Sequence, residues 1–362
     1  MMQGQAKQAT PPRSIGRPGA VGRGRPGMTL PEILVVVGVL LVLVSLAMPA
    51  VQRAREAARR LRCAANLKQW VTALQLYTDA HAQYPPLSNG MPWLPGPGAP
   101  HSFDYSPHTR LLPHVGLGDV FNAINFSLDV WEPGYVPLYS WGGNWANATA
   151  YGARADVFVC PSDSGTRQFR TPCSYRGNGG LLEFTWPSFN SPHDGLGLFA
   201  AIRITKSQVT DGLDHTAAFA ERLVGSAGRP NQPLRDVRRF LDMYLHEHHD
   251  LERYVEACRR LGTAPAEHVG TFPFSGSCWF YSSYYYTLYN HAAPPNWSTP
   301  DCEDGALRGV TGVFCARSAH PGGVNVAFAS GRVRFVSAGV DLAVWRALST
   351  RSGAEPISET SF

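Results

Sequence analysis

The chain has 362 residues, of which 44% are hydrophobic and only 16% are charged. This composition excludes a disordered chain, which would be poor in apolar residues and high in net charge, and it excludes a collagen-like or coiled-coil protein. A multi-span membrane protein is also excluded, because only one segment is apolar enough to cross a bilayer. The length allows one large domain or two smaller ones.

The formal net charge of +5 is concentrated near the N-terminus. Residues 1–27 contain no acidic residue, and residues 69–362 are slightly acidic. Because nucleic-acid binding needs a basic face on the folded domain, no nucleic-acid partner is expected. The basic residues of the N-terminal segment are Lys7, Arg13, Arg17, Arg23 and Arg25.

Residues 1–27 are rich in Gly, Pro, Gln and Arg and have no hydrophobic period, which predicts a disordered leader. Residues 28–48 are apolar and about as long as a hydrocarbon core of roughly 30 Å requires. In a signal peptide the small residues of the cleavage site follow the apolar run, whereas here Gly27 precedes it. Glu32 lies near the start of this run, where a carboxylate usually faces a partner. The alternative is that Glu32 lies at the headgroup boundary and caps the helix.

Beyond Pro49 the apolar residues follow three- and four-residue steps, which is typical of an amphipathic helix with one buried face. Pro49 is expected to kink this helix, because proline removes one backbone hydrogen bond and crowds the preceding turn. The sequence therefore predicts a long helix over residues 28–80, with a transmembrane half and an amphipathic half. Its amphipathic positions are Val51, Ala54, Ala58, Leu61, Ala65, Leu67, Trp70, Val71, Leu74 and Tyr77.

Residues 81–362 are predicted to form a globular α+β domain with a mainly antiparallel sheet, entered through a Pro- and Gly-rich connector. Short apolar runs between turn residues predict its strands, and Ser330-Gly331 suits a hairpin turn. A further helix is predicted over residues 234–261. The predicted strands are Val157–Cys160, Gly197–Ile204, Ala217–Ala220, Gly312–Cys315, Asn325–Ala329 and Arg332–Ser337.

The seven cysteines contain no C-x-x-C pair, which argues against a zinc ribbon or a thioredoxin-type site. Cys63 lies on the basic part of the helix, and the other six lie in the body. Outside the cytoplasm those six could form up to three disulfides, with fifteen possible connectivities. Free buried thiols are the alternative.

No motif identifies a catalytic centre, since the chain lacks a G-x-S-x-G elbow, a phosphate loop and a dinucleotide fingerprint. His246 and Asp250 could bind a metal, but a polar, solvated helix face is the favoured interpretation because the zincin histidine spacing is missing. The aromatic run 279–289 suits a carbohydrate or peptide platform, or a buried aromatic strand. Neither an enzyme nor a metal or cofactor site is predicted.

A turn of His320, Gly322, Gly323 and Asn325 precedes the predicted hairpin. Its glycines permit positive φ and a close approach of the backbone. A catalytic role for His320 would need an acid or a nucleophile as partner, and no spacing identifies one. The favoured interpretation is a structural turn in which the imidazole bonds the backbone.

The segment GMTLPEILVV, residues 27–36, resembles the cleavage and methylation signal of type IV prepilins and type II secretion pseudopilins. The resemblance implies that prepilin peptidase cuts between Gly27 and Met28, that the new N-terminus is methylated, and that Glu32 is the assembly glutamate. It also implies a helix kink at Pro49. The sequence departs from the family at Pro31, where an aliphatic residue is more common.

Matches to a known group of proteins recur in order over most of the chain, in residues 48–86, Val159–Asp163, Ser174–Asn178, Asp211–Thr216, Glu221-Arg222, Ser318–Asn325, Phe328 and Gly331–Val336. In these segments the chain resembles the DUF1559 group of pilin-like proteins, which are abundant in planctomycete-type bacteria. The group usually has an acid where this chain has Ser330, so a role of that acid does not carry over.

Basic residues flank the apolar segment on both sides, so the positive-inside rule alone leaves its orientation open. The resemblance implies a cytoplasmic leader, since the signal must face the cytoplasmic peptidase, and a body in the periplasm or at the cell surface. The expected function is a single-pass inner-membrane pilin or pseudopilin-like subunit, whose partners are prepilin peptidase and other pilin-like subunits that contact its N-terminal helix. One alternative is a membrane-tethered solute- or glycan-binding protein, and another is an envelope enzyme that uses His320 with acidic partners.

Overall fold

The computed structural model describes residues 29–87, 105–128, 145–181, 196–200, 202–229, 232–240, 250–263, 269–303, 311–358 and 362. The predicted leader, with the processing residues Gly27 and Met28, lies outside these residues, and so does His246, which the sequence placed on a solvated helix face. The chain divides into two units, Met1–Arg53 and Ala54–Phe362. A long N-terminal helix and a domain with mixed sheets confirm the predicted α+β class.

Helix α1 extends over Leu30–His81 and contains Pro49. At its start the backbone N–H and the hydroxyl of Thr29 donate hydrogen bonds to Oε2 of Glu32, at 2.8 and 2.9 Å. This contact is half of a capping box, in which a glutamate in the first turn satisfies the N-cap backbone. The capping role that the sequence left as an alternative for Glu32 is therefore present, and the kink at Pro49 stays a prediction.

The first part of α1 is long and apolar enough to cross a membrane by length and composition. Its large apolar side chains, from Leu30 to Met48, are all exposed. A signal sequence near an N-terminus passes the same test of length and composition, so this property fits an anchor and a signal sequence equally.

The second part of α1 buries only half of the positions predicted to face the body. Leu67, Trp70 and Leu74 are fully buried as predicted, whereas Leu61 is 71% exposed and Ala58 is also exposed. At 3.6 residues per turn, the run Ala54, Ala58, Leu61 and Ala65 lies on the side of the helix opposite to Leu67. The sequence pattern therefore contains two apolar stripes, and only one of them packs on the body.

The strands of the described residues are β1 Tyr175–Asn178, β2 Ala217–Glu221, β3 Val237–Phe240, β4 Val269–Phe272, β5 Leu288–Tyr289, β6 Asp301–Glu303, β7 Gly312–Val313, β8 Gly323–Phe328 and β9 Val333–Ser337. They form two mixed sheets, of order β5-β1-β2-β8-β9 and β4-β3-β6-β7. Most pairings between these strands are antiparallel, as predicted, and the pairs β1–β5 and β3–β6 are parallel.

The predicted hairpin is confirmed, with β8 and β9 paired in antiparallel register and Gly331 at φ +91° in the turn. Glycine adopts this left-handed conformation without the steric penalty that a side chain would add. The other α-helices are short apart from α5: α2 Pro107–Leu111, α3 Gly118–Asn122, α4 Ala148–Tyr151, α5 Leu251–Thr263 and α6 Leu342–Ala347.

Three local predictions were wrong. The segment Val157–Cys160 forms no strand, because side chains of Asn66 and Trp70 donate hydrogen bonds to its carbonyl groups in place of a neighbouring strand. No strand is present in residues 197–200 or 202–204. The predicted helix over residues 234–261 is β3 followed by α5, with residues 241–249 outside the described part, because β3 pairs with β4 and β6.

The aromatic run 279–289 belongs mainly to the core. Trp279 and Tyr284 are fully buried, and the ring of Trp279 stacks on Phe158, which in turn packs against Trp70 of α1. Only Leu288 and Tyr289 of this run are in a strand. The interpretation as buried aromatic residues is therefore confirmed, although most of the run is turn.

Candidate functional site

His320 is buried between two carboxylates that come from distant parts of the chain. Its Nδ1 lies 2.8 Å from Oε1 of Glu56, and its Nε2 lies 3.2 Å from Oε1 of Glu221. The expectation that the imidazole bonds the backbone was wrong, because both ring nitrogens face carboxylates. The acidic partners that no spacing could identify are therefore present.

Three different elements position these side chains. Glu56 lies on the same side of α1 as the buried Leu67, Glu221 is the last residue of β2, and His320 precedes β8 in the predicted turn. Gly323 permits this turn, since a Cβ there would lie 2.1 Å from the carbonyl oxygen of Val336. The glycine allows β8 to approach β9 closely directly after His320.

Asn325 orients Glu221. Its backbone N–H and its Nδ2 donate hydrogen bonds to Oε2 of Glu221, at 2.8 and 3.1 Å. The other oxygen, Oε1, is buried and accepts no hydrogen bond from the described residues, although it lies at ion-pair distance from His320. Oε1 is therefore near the imidazole without making a hydrogen bond to it, since a hydrogen bond needs favourable angles as well as a short distance.

A disulfide between Cys63 and Cys160 lies beside the imidazole and links α1 to the body. Sγ of Cys160 is 3.6 Å from Nε2 of His320. A second disulfide joins Cys258 to Cys302. The described residues also include three buried free thiols, so disulfides and free thiols, which the sequence offered as alternatives, both occur. The pairing of Cys63 was not expected, because the expected disulfides joined only the six cysteines of the body. The free thiols are Cys173, Cys278 and Cys315.

The carboxylates set the protonation of this cluster. Burial alone would lower the pKa of His320, but the nearby carboxylates of Glu221 and Glu56 raise it above its ordinary value. Burial likewise opposes ionisation of Glu56, yet His320 and Arg59 hold its pKa below the ordinary value. The imidazolium form is therefore favoured between the two carboxylates.

A second buried charge cluster lies next to the first. Asp301 accepts hydrogen bonds from Arg222 through Oδ2 and from Arg317 through Oδ1, and all three side chains are at most 3% exposed. Burial alone would raise the pKa of Asp301, but the two guanidinium groups hold it below its ordinary value. Arg222 and Arg317 also line a cavity of about 10 Å³, together with Glu221 and Cys160.

Among the described residues, one group of side chains could hold a metal ion: the ligand atoms of Cys63, Cys160, Glu221 and His320 all lie within 4.8 Å of one another. In the disulfide form the two sulfurs are bonded to each other and are not thiolate ligands. No sequence motif marks this group, because its members are far apart in the chain. The one sequence feature that the four residues share is that each lies in a segment that resembles the DUF1559 group.

Of the remaining predicted site residues, Glu32 and Pro49 belong to the other unit of the chain, and Gly27 and Met28 lie outside the described residues. Ser162 is near, but its hydroxyl donates to Glu56, at 3.2 Å from Oε1, and not to the imidazole. Sγ of Cys160, 3.6 Å from Nε2 of His320, is held in the disulfide.

A protein-family model described as a protein of unknown function, DUF1559, matches residues 52–343. The match covers most of the chain, includes every member of the His320 cluster, and begins after the apolar segment. Neither the curated proteins nor the solved structures contain a significant match. The family and the apolar helix are compatible with a membrane-anchored protein. The chain belongs to the DUF1559 family.

Proposed function

We propose that the chain is a membrane-anchored, pilin-like structural subunit of a type II secretion or type IV pilus-like assembly. One observation carries this proposal: a single helix, α1, is exposed and apolar over its first part and buried in the body over its last part. An anchor that only tethers a domain needs no such helix continuing into the core. In this proposal prepilin peptidase processes the chain, and the body lies in the periplasm or at the cell surface.

The unused apolar stripe on α1 supports packing against other subunits. Ala54, Ala58, Leu61 and Ala65 lie on the side that faces away from the body, and all four are exposed. Small residues at such steps let two helices approach closely. The stripe therefore suits contact with α1 of another copy or of a related subunit.

Glu32 would contribute to the same packing. A carboxylate in the apolar part of a bilayer costs several kcal/mol unless it is compensated, and Thr29 supplies hydrogen bonds but no charge. The methylated amine at Met28 of a neighbouring subunit would supply the opposite charge. This pairing would favour an assembled helix over an isolated one.

We expect Glu32→Ala to abolish incorporation into filaments or secretion complexes, because the neighbour's amine would lose its partner. The measurement is the amount of chain that co-purifies with the assembled fraction of cells. Leu61→Lys, which changes the exposed stripe without touching the body, is expected to reduce incorporation as well. Normal levels of both variants in assemblies would refute the proposal.

We expect the mature protein to begin at Met28 with a methylated amine, and Gly27→Leu to accumulate as an uncut precursor. The precursor should stay uncut because the peptidase recognises the small residue before the cut. Intact-mass analysis of the chain from its native membrane checks both statements. Conservative replacement of the nearby Gly24 serves as a control that should leave processing unchanged.

A second candidate function is a membrane-tethered solute-binding protein. A cavity of about 600 Å³ in the body favours it, since ligand pockets commonly have this size. The cavity is lined by aromatic residues, which include Tyr151, Phe274, Tyr281 and Tyr286. Unchanged incorporation of the Glu32 and Leu61 variants would favour this function over the first.

A further inference from the structure

Four side chains with metal-binding atoms converge at the His320 cluster from four separate parts of the fold. Cys63 lies on α1, Cys160 in the loop before β1, Glu221 at the end of β2, and His320 before β8. None of the four is more than 3% exposed. We propose that, when Cys63 and Cys160 are reduced, these four residues form a tetrahedral site for Zn²⁺.

Two of the observed distances between ligand atoms agree with those expected in a tetrahedral zinc site. Zinc bonds of about 2.3 Å to sulfur and 2.0–2.1 Å to nitrogen or oxygen, at tetrahedral angles, place sulfur about 3.6 Å from nitrogen and nitrogen about 3.3 Å from oxygen. Nε2 of His320 is 3.6 Å from Sγ of Cys160 and 3.2 Å from Oε1 of Glu221. The two sulfurs, bonded to each other in the disulfide, would have to separate to about 3.8 Å.

The surroundings already orient the ligands. Glu56 contacts Nδ1 of His320, which leaves Nε2 directed at the site, and a carboxylate at the second ring nitrogen is the usual support of a metal-bound histidine. Asn325 occupies Oε2 of Glu221 and leaves Oε1 as a buried acceptor without a hydrogen bond among the described residues. The cavity of about 10 Å³ between Cys160 and Glu221 adds space beside these atoms.

The charges also balance. Two thiolates and Glu221 carry three negative charges, and a zinc ion offsets two of them. Arg222 and Arg317 share the single carboxylate of Asp301, so this neighbouring cluster carries one surplus positive charge. The surplus offsets the remaining negative charge of the loaded site, and the charge of Glu56 beside His320 is offset by Arg59.

The metal and the disulfide exclude each other, because a disulfide sulfur has no thiolate charge to donate. A phosphine reductant breaks the S–S bond: the phosphine takes an oxygen atom from water and becomes a phosphine oxide, and each sulfur gains a proton. Binding of Zn²⁺ then displaces both thiol protons and the Nε2 proton of the His320 imidazolium, while Nδ1 keeps its proton toward Glu56. The site therefore binds metal only in the reduced chain, and this inference is independent of the proposed role in assembly.

The test uses the full chain in detergent, synthesised and purified under a phosphine so that disulfides never form, with Co²⁺ and Zn²⁺ as probes. We expect about one zinc per reduced chain and a thiolate-to-cobalt charge-transfer absorption. The air-oxidised chain should bind neither ion at this site. Equal binding by both forms, or no binding by the reduced form, would overturn the proposal.

Variants separate this site from other thiols. Cys160→Ala and His320→Ala should lose the bound metal, and Glu56→Gln should weaken binding by about tenfold or more while the cobalt spectrum keeps its shape, because Glu56 only positions the imidazole. Cys315→Ala and the pair Cys258→Ala and Cys302→Ala should bind as the unchanged chain does. Metal retained by Cys160→Ala would also overturn the assignment.

Discussion

Replacement of Asp301 by asparagine is expected to lower the free energy of unfolding by about 3–5 kcal/mol. The substitution keeps the size of the side chain but removes its charge, which leaves Arg222 and Arg317 buried without a counter-ion. Arginine does not lose its proton in proteins, so both charges would stay in a poorly solvating interior. Urea unfolding of the detergent-solubilised chain measures the change.

The matched control for this prediction is Asp79→Asn, which removes the same charge from an exposed ion pair with Lys206. Exposed pairs contribute little, so the expected change is at most about 1 kcal/mol. Similar effects of the two substitutions would show that burial does not set the contribution of Asp301. That result would contradict our description of this cluster.

Removal of the disulfide between α1 and the body is expected to destabilise the chain by about 3–5 kcal/mol. Cys63 and Cys160 are 97 residues apart in the sequence, so the cross-link restricts a long loop of the unfolded chain. The pair Cys63→Ala and Cys160→Ala removes it while keeping both positions apolar. Chemical unfolding under oxidising conditions gives the difference in free energy.

Two controls accompany this measurement. Cys315→Ala changes a buried thiol that makes no disulfide, and it should cost clearly less than loss of the cross-link. Under a phosphine and a metal chelator, which also reduce the pair Cys258–Cys302, the unchanged chain and the double variant should have similar stabilities. Labelling of Cys63 by a thiol reagent in the native, oxidised protein would contradict the assigned pair.

The two apolar faces on the second part of α1 show what a periodic sequence pattern can and cannot predict. Three- and four-residue steps correctly predicted a helix across residues 50–77, and they correctly selected Leu67, Trp70 and Leu74 as buried. The same steps also marked Ala58 and Leu61, which are exposed. A period reports that a helix has an apolar face, but it does not report which of two such faces the body covers.

The charged cluster around His320 shows a different limit of prediction from sequence, which is that contacts between distant residues leave no local pattern. Its turn, with the required Gly323, was recognisable from local residues, but Glu56 is 264 residues away from His320 and Glu221 is 99 residues away along the numbering. No local spacing connects such positions. Only the pairing of β2 with β8 and the packing of α1 on the body bring their side chains together.

By itself, the sequence determined the apolar segment, the helix that continues it, the β8–β9 hairpin and the family, because each of these depends on neighbouring residues or on residues in a fixed order. The tertiary structure alone decided the disulfide partner of Cys63, the carboxylates on His320 and the buried salt bridges of Asp301. These contacts join residues across long loops, and their free energy is gained only after the whole chain has folded.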